Sequence, residues 1–331
     1  MGISRGIKIK NRGKSPHPRT TCNKSITEKK YTKNIYTQKN YPIKVAVCVI
    51  AKWEEQYLVE WVEHYKNMGF DNILFYDNNE TGDSSQYDIL SSYINNKYVK
   101  YHDIRGRCGG TIQKKCYRNC LNTYKTEYDW IAFFDADEFL DLGEYKNIYN
   151  FLKSSEKFSD YDGIVIEWET YGDNGLVKYD NRPLSERFTN VIENIQPCVK
   201  TIINVHNIEH KKIISVHTIS AKKMCDCKGN EITIIKGNRI RKKYVVNVKL
   251  KHYKYKTIEE FLKKIDRGDI NKRNGRRLEK KEKYNERLRY FIKDFFRVND
   301  ITLDKLQEIK AIFPSYNIER YFKKIKSIKK E

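Results

Sequence analysis

Between residues 45 and 139 the chain alternates four times between a short apolar run and a stretch with helical spacing, and this restricts the fold more than any other feature. Val45-Ala-Val-Cys-Val-Ile-Ala51 is apolar on both faces, which suits a buried strand of a parallel sheet. Leu58, Trp61, Val62, Tyr65 and Met68 follow at helical spacing, and Gly69 is placed to stop that helix. A second strand, Asn72–Asp77, runs into a polar loop at 78–83. A helix around Tyr87–Asn95 leads to a third strand, Val99–Asp103. The glycine-rich loop 105–110 precedes a helix over 111–124, and a fourth strand, 130–134, runs into Asp135-Ala-Asp137-Glu138. Short loops and regular alternation predict a doubly wound, mostly parallel α/β sheet. No G-x-G-x-x-G follows the first strand, and no G-x-x-x-x-G-K-[ST] occurs. A nucleotide bound by this sheet would be held by side chains at the carboxyl ends of its strands.

The second half is less regular. Strands are expected at 163–168, 200–205, 211–219 and 245–251. Thr257-x-x-Glu260 is a capping box opening a helix over 258–266. No internal repeat is visible.

Charge divides the chain further. Residues 1–44 hold 12 Lys and Arg against one acid, and residues 236–331 hold 31 against 13. Residues 45–235 hold 22 basic and 29 acidic residues. An acidic middle with basic flanks does not form one continuous nucleic-acid groove. It fits a catalytic core with cationic appendages: a disordered arm at 1–42, a domain at 43–270 and a basic helical tail at 271–331. The longest clean apolar run, 45–51, is far short of the roughly 20 residues a membrane span needs. The first residues lack the apolar core of a secretory leader, so a cytoplasmic location is expected. The eight cysteines contain no C-x-x-C pair, which argues for reduced thiols over a zinc site.

Three places carry candidate chemistry. Asp135 and Asp137, at the tip of a central strand, lie where such sheets bind ligands, and alternate strand residues share a face. Two carboxylates there suit a hard divalent cation that bridges phosphates; the alternative is a strand that ends in solvent. Asp77 could accept from a base or ribose, or it could close an Asx-turn with Asn78 and Asn79. Lys52 could meet a phosphate or a uracil carbonyl while Glu54 orders the loop, or the acids there could complement a helix N-terminus.

The ordered motifs resemble a known group. They run Lys52-x-Glu54-x-x-Tyr57-Leu58, Glu60-Trp61, Gly69-Phe-Asp-x-Ile73, Tyr76-Asp-Asn-Asn79, then Trp130-Ile-Ala-Phe-x-Asp-x-Asp-Glu-Phe-Leu140. Trp168, Tyr171-Gly172, Glu186-Arg-Phe-Thr189, Lys200-Thr-Ile-Ile203, His217, His252-Tyr253, Lys256-Thr-x-Glu-Glu-Phe261 and Arg267-Gly268 follow in order. Over about 43–270 the pattern resembles glycosyltransferase family 92 and its family-2-like relatives. The resemblance implies a GT-A fold, a nucleotide-sugar donor (UDP-linked), a glycan or other hydroxyl acceptor, and Mn²⁺ or Mg²⁺. It implies that Asp77 holds the nucleoside, with Lys52, Glu54 and Asn79 lining that pocket. Asp135 and Asp137 would bind ribose, metal and diphosphate. A further metal ligand is expected C-terminal to them, His252 first and His217 second. Trp53 stands where relatives commonly have Asn.

An inverting displacement also needs a base for the acceptor hydroxyl. Asp173, in Tyr-Gly-Asp-Asn-Gly, and Glu186 are the candidates. The competing readings are a nucleic-acid binder, suggested by the basic, aromatic tail, and peripheral attachment to an anionic membrane.

Overall fold

The computed structural model describes residues 43–83, 86–107, 111–192, 198–208, 215–219, 222–235, 239–240, 247–267, 307–308 and 310–311. The expected arm, and the tail apart from the last four of these residues, lie outside them.

The first half runs β1 (Val45–Ala51), α1 (Leu58–Asn67), β2 (Asn72–Asp77), α2 (Tyr87–Asn95), β3 (Val99–Asp103), α3 (Ile112–Tyr124) and β4 (Trp130–Phe133). β1 is buried at every position, and its alternate side chains enter two cores. Val45, Val47, Val49 and Ala51 meet Leu58, Trp61, Val62 and Tyr65 of α1 on one face. Ala46, Cys48 and Ile50 meet Ile112, Cys116, Tyr117, Cys120 and Leu121 of α3 on the other. A run with no polar position thus needs helices on both sides, and the doubly wound sheet supplies them. Gly69 ends the first helical segment at φ +87°, a conformation in which a side chain would be strained.

The second half runs β5 (Glu138–Asp141), α4 (Ile148–Lys153), β6 (Gly163–Tyr171), α5 (Leu184–Arg187), β7 (Val191–Ile192), β8 (Val199–Asn204), β9 (Met224–Cys225), β10 (Glu231–Ile232), β11 (Ile234–Ile235), β12 (Arg239–Ile240), β13 (Lys249–His252) and α6 (Ile258–Arg267). Strands β3, β2, β1 and β4 are parallel; β8 pairs antiparallel to β4, and β6 antiparallel to β8. The expected sheet is therefore present, parallel in its first half and mixed in its second. The carboxyl end of β6 leaves β8 and pairs with β13, which also pairs with β5.

Some boundaries differ from expectation. β4 ends at Phe133, and the acids that follow occupy a turn closed by the Glu138 N–H donating to the Asp135 carbonyl at 3.0 Å. The shared-face argument for Asp135 and Asp137 therefore does not apply, because the backbone there is no longer extended. Residues 216–219 of the expected 211–219 strand form a turn, and 211–214 lie outside the described residues. The strand expected at 245–251 is Lys249–His252, with 245–246 outside the described residues. Cys48, Cys116 and Cys120 are core thiols, as are Cys225 and Cys227, and all five are free.

Candidate active site

The acidic turn sits at the carboxyl end of β4 and is held from beneath by α1. The Trp61 indole N–H donates to the carbonyls of Asp135 at 3.2 Å and Glu138 at 3.0 Å. The Tyr65 hydroxyl donates to the Glu138 carbonyl at 2.9 Å. These two aromatic residues read in the sequence as core positions. They are core residues, but their polar ends also pin the turn.

Asp135 is gripped on both oxygens. Gln113 Nε2 of α3 donates to Oδ1 at 2.9 Å, and Lys200 Nζ of β8 lies 2.7 Å from Oδ2. The Asp135 N–H donates to Glu138 Oε2 at 2.8 Å, and Lys200 is 3.4 Å from that same oxygen. Burial opposes ionisation of Asp135, but the Lys200 ammonium outweighs it and holds the carboxyl below its usual range. Burial pushes Glu138 well above its ordinary value, despite Lys200. The proton therefore favours Glu138, and the charge stays on Asp135.

Asp137 meets a different set. Lys264 Nζ of α6 lies 2.6 Å from Oδ2, and His252 Nε2 of β13 is 3.7 Å from Oδ1. Burial opposes the charge on Asp137, and Lys264 followed by His252 and Lys256 overrides it, so the carboxyl stays far below its usual range. His252 comes into place because β13 enters between β5 and β6, which sets His252 opposite both Glu138 and Thr170. Its ring packs on Trp168 with centroids 4.3 Å apart. The other face of the story is His217, which meets the same Trp168 edge-on at 5.5 Å. Burial lowers both imidazoles to about 4, so both are neutral at ordinary pH. His217 Nδ1 lies 3.2 Å from the Val199 carbonyl, a contact that fits an Nδ1–H donor.

The turn gathers donor types that a hard divalent cation takes. Asp135 and Asp137 remain ionised, His252 is neutral, and its buried Nδ1 has no hydrogen-bond partner among the described residues. Among those residues no group of three or more His, Cys, Asp or Glu side chains is arranged to hold a metal ion, so a cation at Asp135 and Asp137 would need further ligands from water or substrate. An open set of this kind is typical of cations that keep waters and take substrate phosphates as ligands.

The loops after β1 and β2 form a second cluster. Asp77 is fully buried and accepts from the N–H groups of Asn79 (2.9 Å) and Gln86 (3.0 Å), from Gln86 Nε2 (2.9 Å) and from the Tyr101 hydroxyl (2.6 Å). The Asx-turn considered from the sequence is present. Asn79 accepts from the Trp53 N–H at 2.9 Å and donates to Glu55 at 2.6 Å. Lys52 Nζ is 2.5 Å from Glu80, and Glu54 accepts from Lys256 at 3.1 Å. Gly106 packs directly on this loop: at φ +71°, a Cβ there would lie 2.0 Å from Thr81 Oγ1.

The two candidate bases are placed differently. Asp173 is fully buried and accepts from the Gly175 N–H at 3.0 Å, within a turn. Glu186 is exposed on α5, whose Arg187 is buried and bonds both oxygens of Glu260 at 3.0 and 3.1 Å.

Sequence reasoning did not select Gln113, Lys200, Lys256 or Lys264 for this site. Lys200 and Lys256 lie inside quoted motifs, but only the sheet order and the start of α6 show which acids they meet.

Comparison with known proteins places the chain. It is similar to a glycosyltransferase family 92 protein of Ricinus communis, at 22% identity over 136 residues, covering 41% of this chain and 24% of that protein. A glycosyltransferase family 92 protein of Arabidopsis thaliana is 26% identical over 157 residues, covering 44% of this chain and 26% of its own length. The aligned region is thus about a quarter of the length of these curated relatives. Among solved structures, S. aureus TarS 1-349 in complex with UDP gives a TM-score of 0.36 at 12% identity, covering 80% of this chain and 78% of that one. The same protein with UDP-GlcNAc gives 0.35 at 11% identity, covering 81% and 79%. The sequence profile of glycosyltransferase family 92 matches residues 42–292, most of the chain. The chain therefore belongs to glycosyltransferase family 92.

Proposed function

We propose that this glycosyltransferase moves a sugar from a UDP-linked donor to a hydroxyl of a glycan or glycoconjugate, with inversion and with Mn²⁺ or Mg²⁺ bound at Asp135 and Asp137. One observation carries the reading. Two ionised carboxylates share a pinned turn at the carboxyl end of β4, and one of them, Asp137, lies 3.7 Å from Nε2 of the neutral His252, whose Nδ1 has no hydrogen-bond partner among the described residues.

Asp135 and Asp137 would hold the cation, with His252 as the nitrogen ligand and His217 as the alternative. When bound, such an ion neutralises the leaving diphosphate. Gln113 and Lys200 fix the Asp135 carboxylate, while Trp61 and Tyr65 fix the backbone that carries both acids. Preorganisation of this kind removes the cost of arranging charge at the moment of reaction. The nucleoside is assigned to the loops after β1 and β2. Lys52, Glu54 and Asn79 would line its pocket. Asp77, already saturated by four donors, supports that pocket from below. Its burial favours ordering the loop over direct contact.

For the proton of the acceptor hydroxyl, Glu186 is the preferred base because it is exposed and open to an acceptor. Asp173 is enclosed by its turn. Thermal shift of the full chain across a set of nucleotide-sugars, with and without Mn²⁺, tests the donor class. A UDP-sugar is expected to raise the melting midpoint only with the cation present. Stabilisation by no nucleotide-sugar would contradict the reading. Glu186→Gln and Asp173→Asn then separate the bases: the first is expected to lose turnover with its fold intact, the second to lose thermal stability.

A further inference from the structure

We propose that Lys264 is an exchangeable counter-ion of Asp137: it occupies the carboxylate while the donor is absent and moves to the donor's diphosphate when donor and cation arrive. The proposal rests on the reading of Asp135 and Asp137 as the cation-binding carboxylates.

Each of the two carboxylates carries a lysine ammonium, but the two lysines differ in freedom. The Lys200 side chain is 0% exposed, rises from the middle of the sheet, and is shared between Asp135 at 2.7 Å and Glu138 at 3.4 Å. Enclosed and held between two carboxyl groups, it is a fixed part of the turn. The Lys264 side chain is 30% exposed and reaches in from α6 to Asp137, which is itself only 8% exposed. A carboxylate so enclosed needs a cation at all times, since an unpaired buried charge is costly. The lysine ammonium is a compact charge on a flexible stem, so it can supply that cation and also leave.

The backbone under Lys264 is anchored independently. The capping box joins Thr257 to Glu260 at 2.9 and 3.2 Å. Glu260 pairs with Arg187, and Lys256 pairs with Glu54 at 3.1 Å. Lys264 lies one helical turn beyond Glu260, so exchange requires only a rotation of its own side chain. Asp137 would hold the divalent cation in place of Lys264, and the positive charge of such a cation would repel the ammonium. The diphosphate of a bound donor would offer the ammonium a new partner, a group lysine binds well.

Two consequences separate this from a purely structural ion pair. Mn²⁺ alone must compete with Lys264, so it binds weakly without nucleotide. With nucleotide present, Lys264 adds to affinity. The test measures Mn²⁺ binding to the full-length chain, with and without UDP, for wild type, Lys264→Met and Lys254→Met. Lys254 is exposed two residues after His252, and its loss removes the same charge without touching Asp137. Lys264→Met is expected to bind Mn²⁺ alone about tenfold more tightly, and UDP with saturating Mn²⁺ about tenfold more weakly. Lys254→Met should move each by less than about twofold. Mn²⁺ binding by Lys264→Met that is no tighter than by wild type, or no tighter than by Lys254→Met, overturns the proposal. So does unchanged UDP affinity. Absence of Mn²⁺ binding in every form, even with UDP, overturns the underlying cation reading and this proposal with it. Should Lys264→Met lose its melting transition, Lys264→Arg gives the opposite sign: the guanidinium fork holds the carboxylate harder and weakens binding of Mn²⁺ alone.

Discussion

Lys200 is the residue on which the acidic turn depends most. It is wholly buried, and among the described residues it is the cation paired with both Asp135 and Glu138. Breaking a fully buried pair from one side costs about 3–5 kcal/mol, and the cost here is smaller because the Asp135 side chain is 34% exposed and water can take up part of the charge. Lys200→Met is therefore expected to lower the urea midpoint by less than that equivalent, and a variant as stable as wild type would show that the pair adds nothing. The place of the acids, directly after the apolar strand β4, was legible from the sequence. Their partners were not. Lys200 sits in a strand whose neighbour, β4, lies about seventy residues earlier in the chain, and no local pattern encodes that pairing. Asp77 was legible in position, since its turn was among the two readings, and its saturation by four donors emerges only with Tyr101 and Gln86 in place.

At the level of elements, α1 couples the core to the site. Its apolar face was plain from helical spacing, and its ends agree with that reading. Its polar reach was hidden, because Trp61 and Tyr65 count as apolar in any periodicity. His64 completes the attachment: its Nε2 lies 2.8 Å from the Leu140 carbonyl of β5, and its ring meets Phe139 edge-on at 5.0 Å. Burial lowers His64 to about 4, the Leu140 bond resisting and Lys251 adding to the fall. The folded value lies below the unfolded value of about 6.5, so the fold prefers the neutral ring. Stability is complete above about pH 6.5 and is lost as pH falls toward 4, by about 2 kcal/mol for this partly buried group. His64→Asn should flatten the dependence of the urea midpoint on pH between 4 and 7 relative to wild type. An unchanged slope would place the acid sensitivity elsewhere. β13 was only half legible. Its strand character showed in the sequence, but its insertion between β5 and β6, which delivers His252, is a long-range event that periodicity does not report.

On the scale of the whole molecule, the acidic stretch 45–235 coincides with the sheet and most of the site, and the basic excess lies before and after it. The family match runs to residue 292, beyond the boundary at 270 expected from the sequence. Within the described residues no helix is long and apolar enough to cross a membrane. The doubly wound half was legible because each strand and helix there announces itself locally. The mixed half was harder, because two-residue strands such as β9 and β10 leave no periodic trace. The turn at 135–138 is the proposed meeting place of donor and cation. Release of sugar from a UDP-sugar, followed with Mn²⁺ present and after its removal by chelation, tests this directly in wild type and Asp137→Asn. Wild type should turn over only with the cation, and Asp137→Asn should fall by at least about a hundredfold while keeping its melting midpoint within a few degrees. Turnover by Asp137→Asn near the wild-type rate, or wild-type turnover indifferent to chelation, would contradict the account.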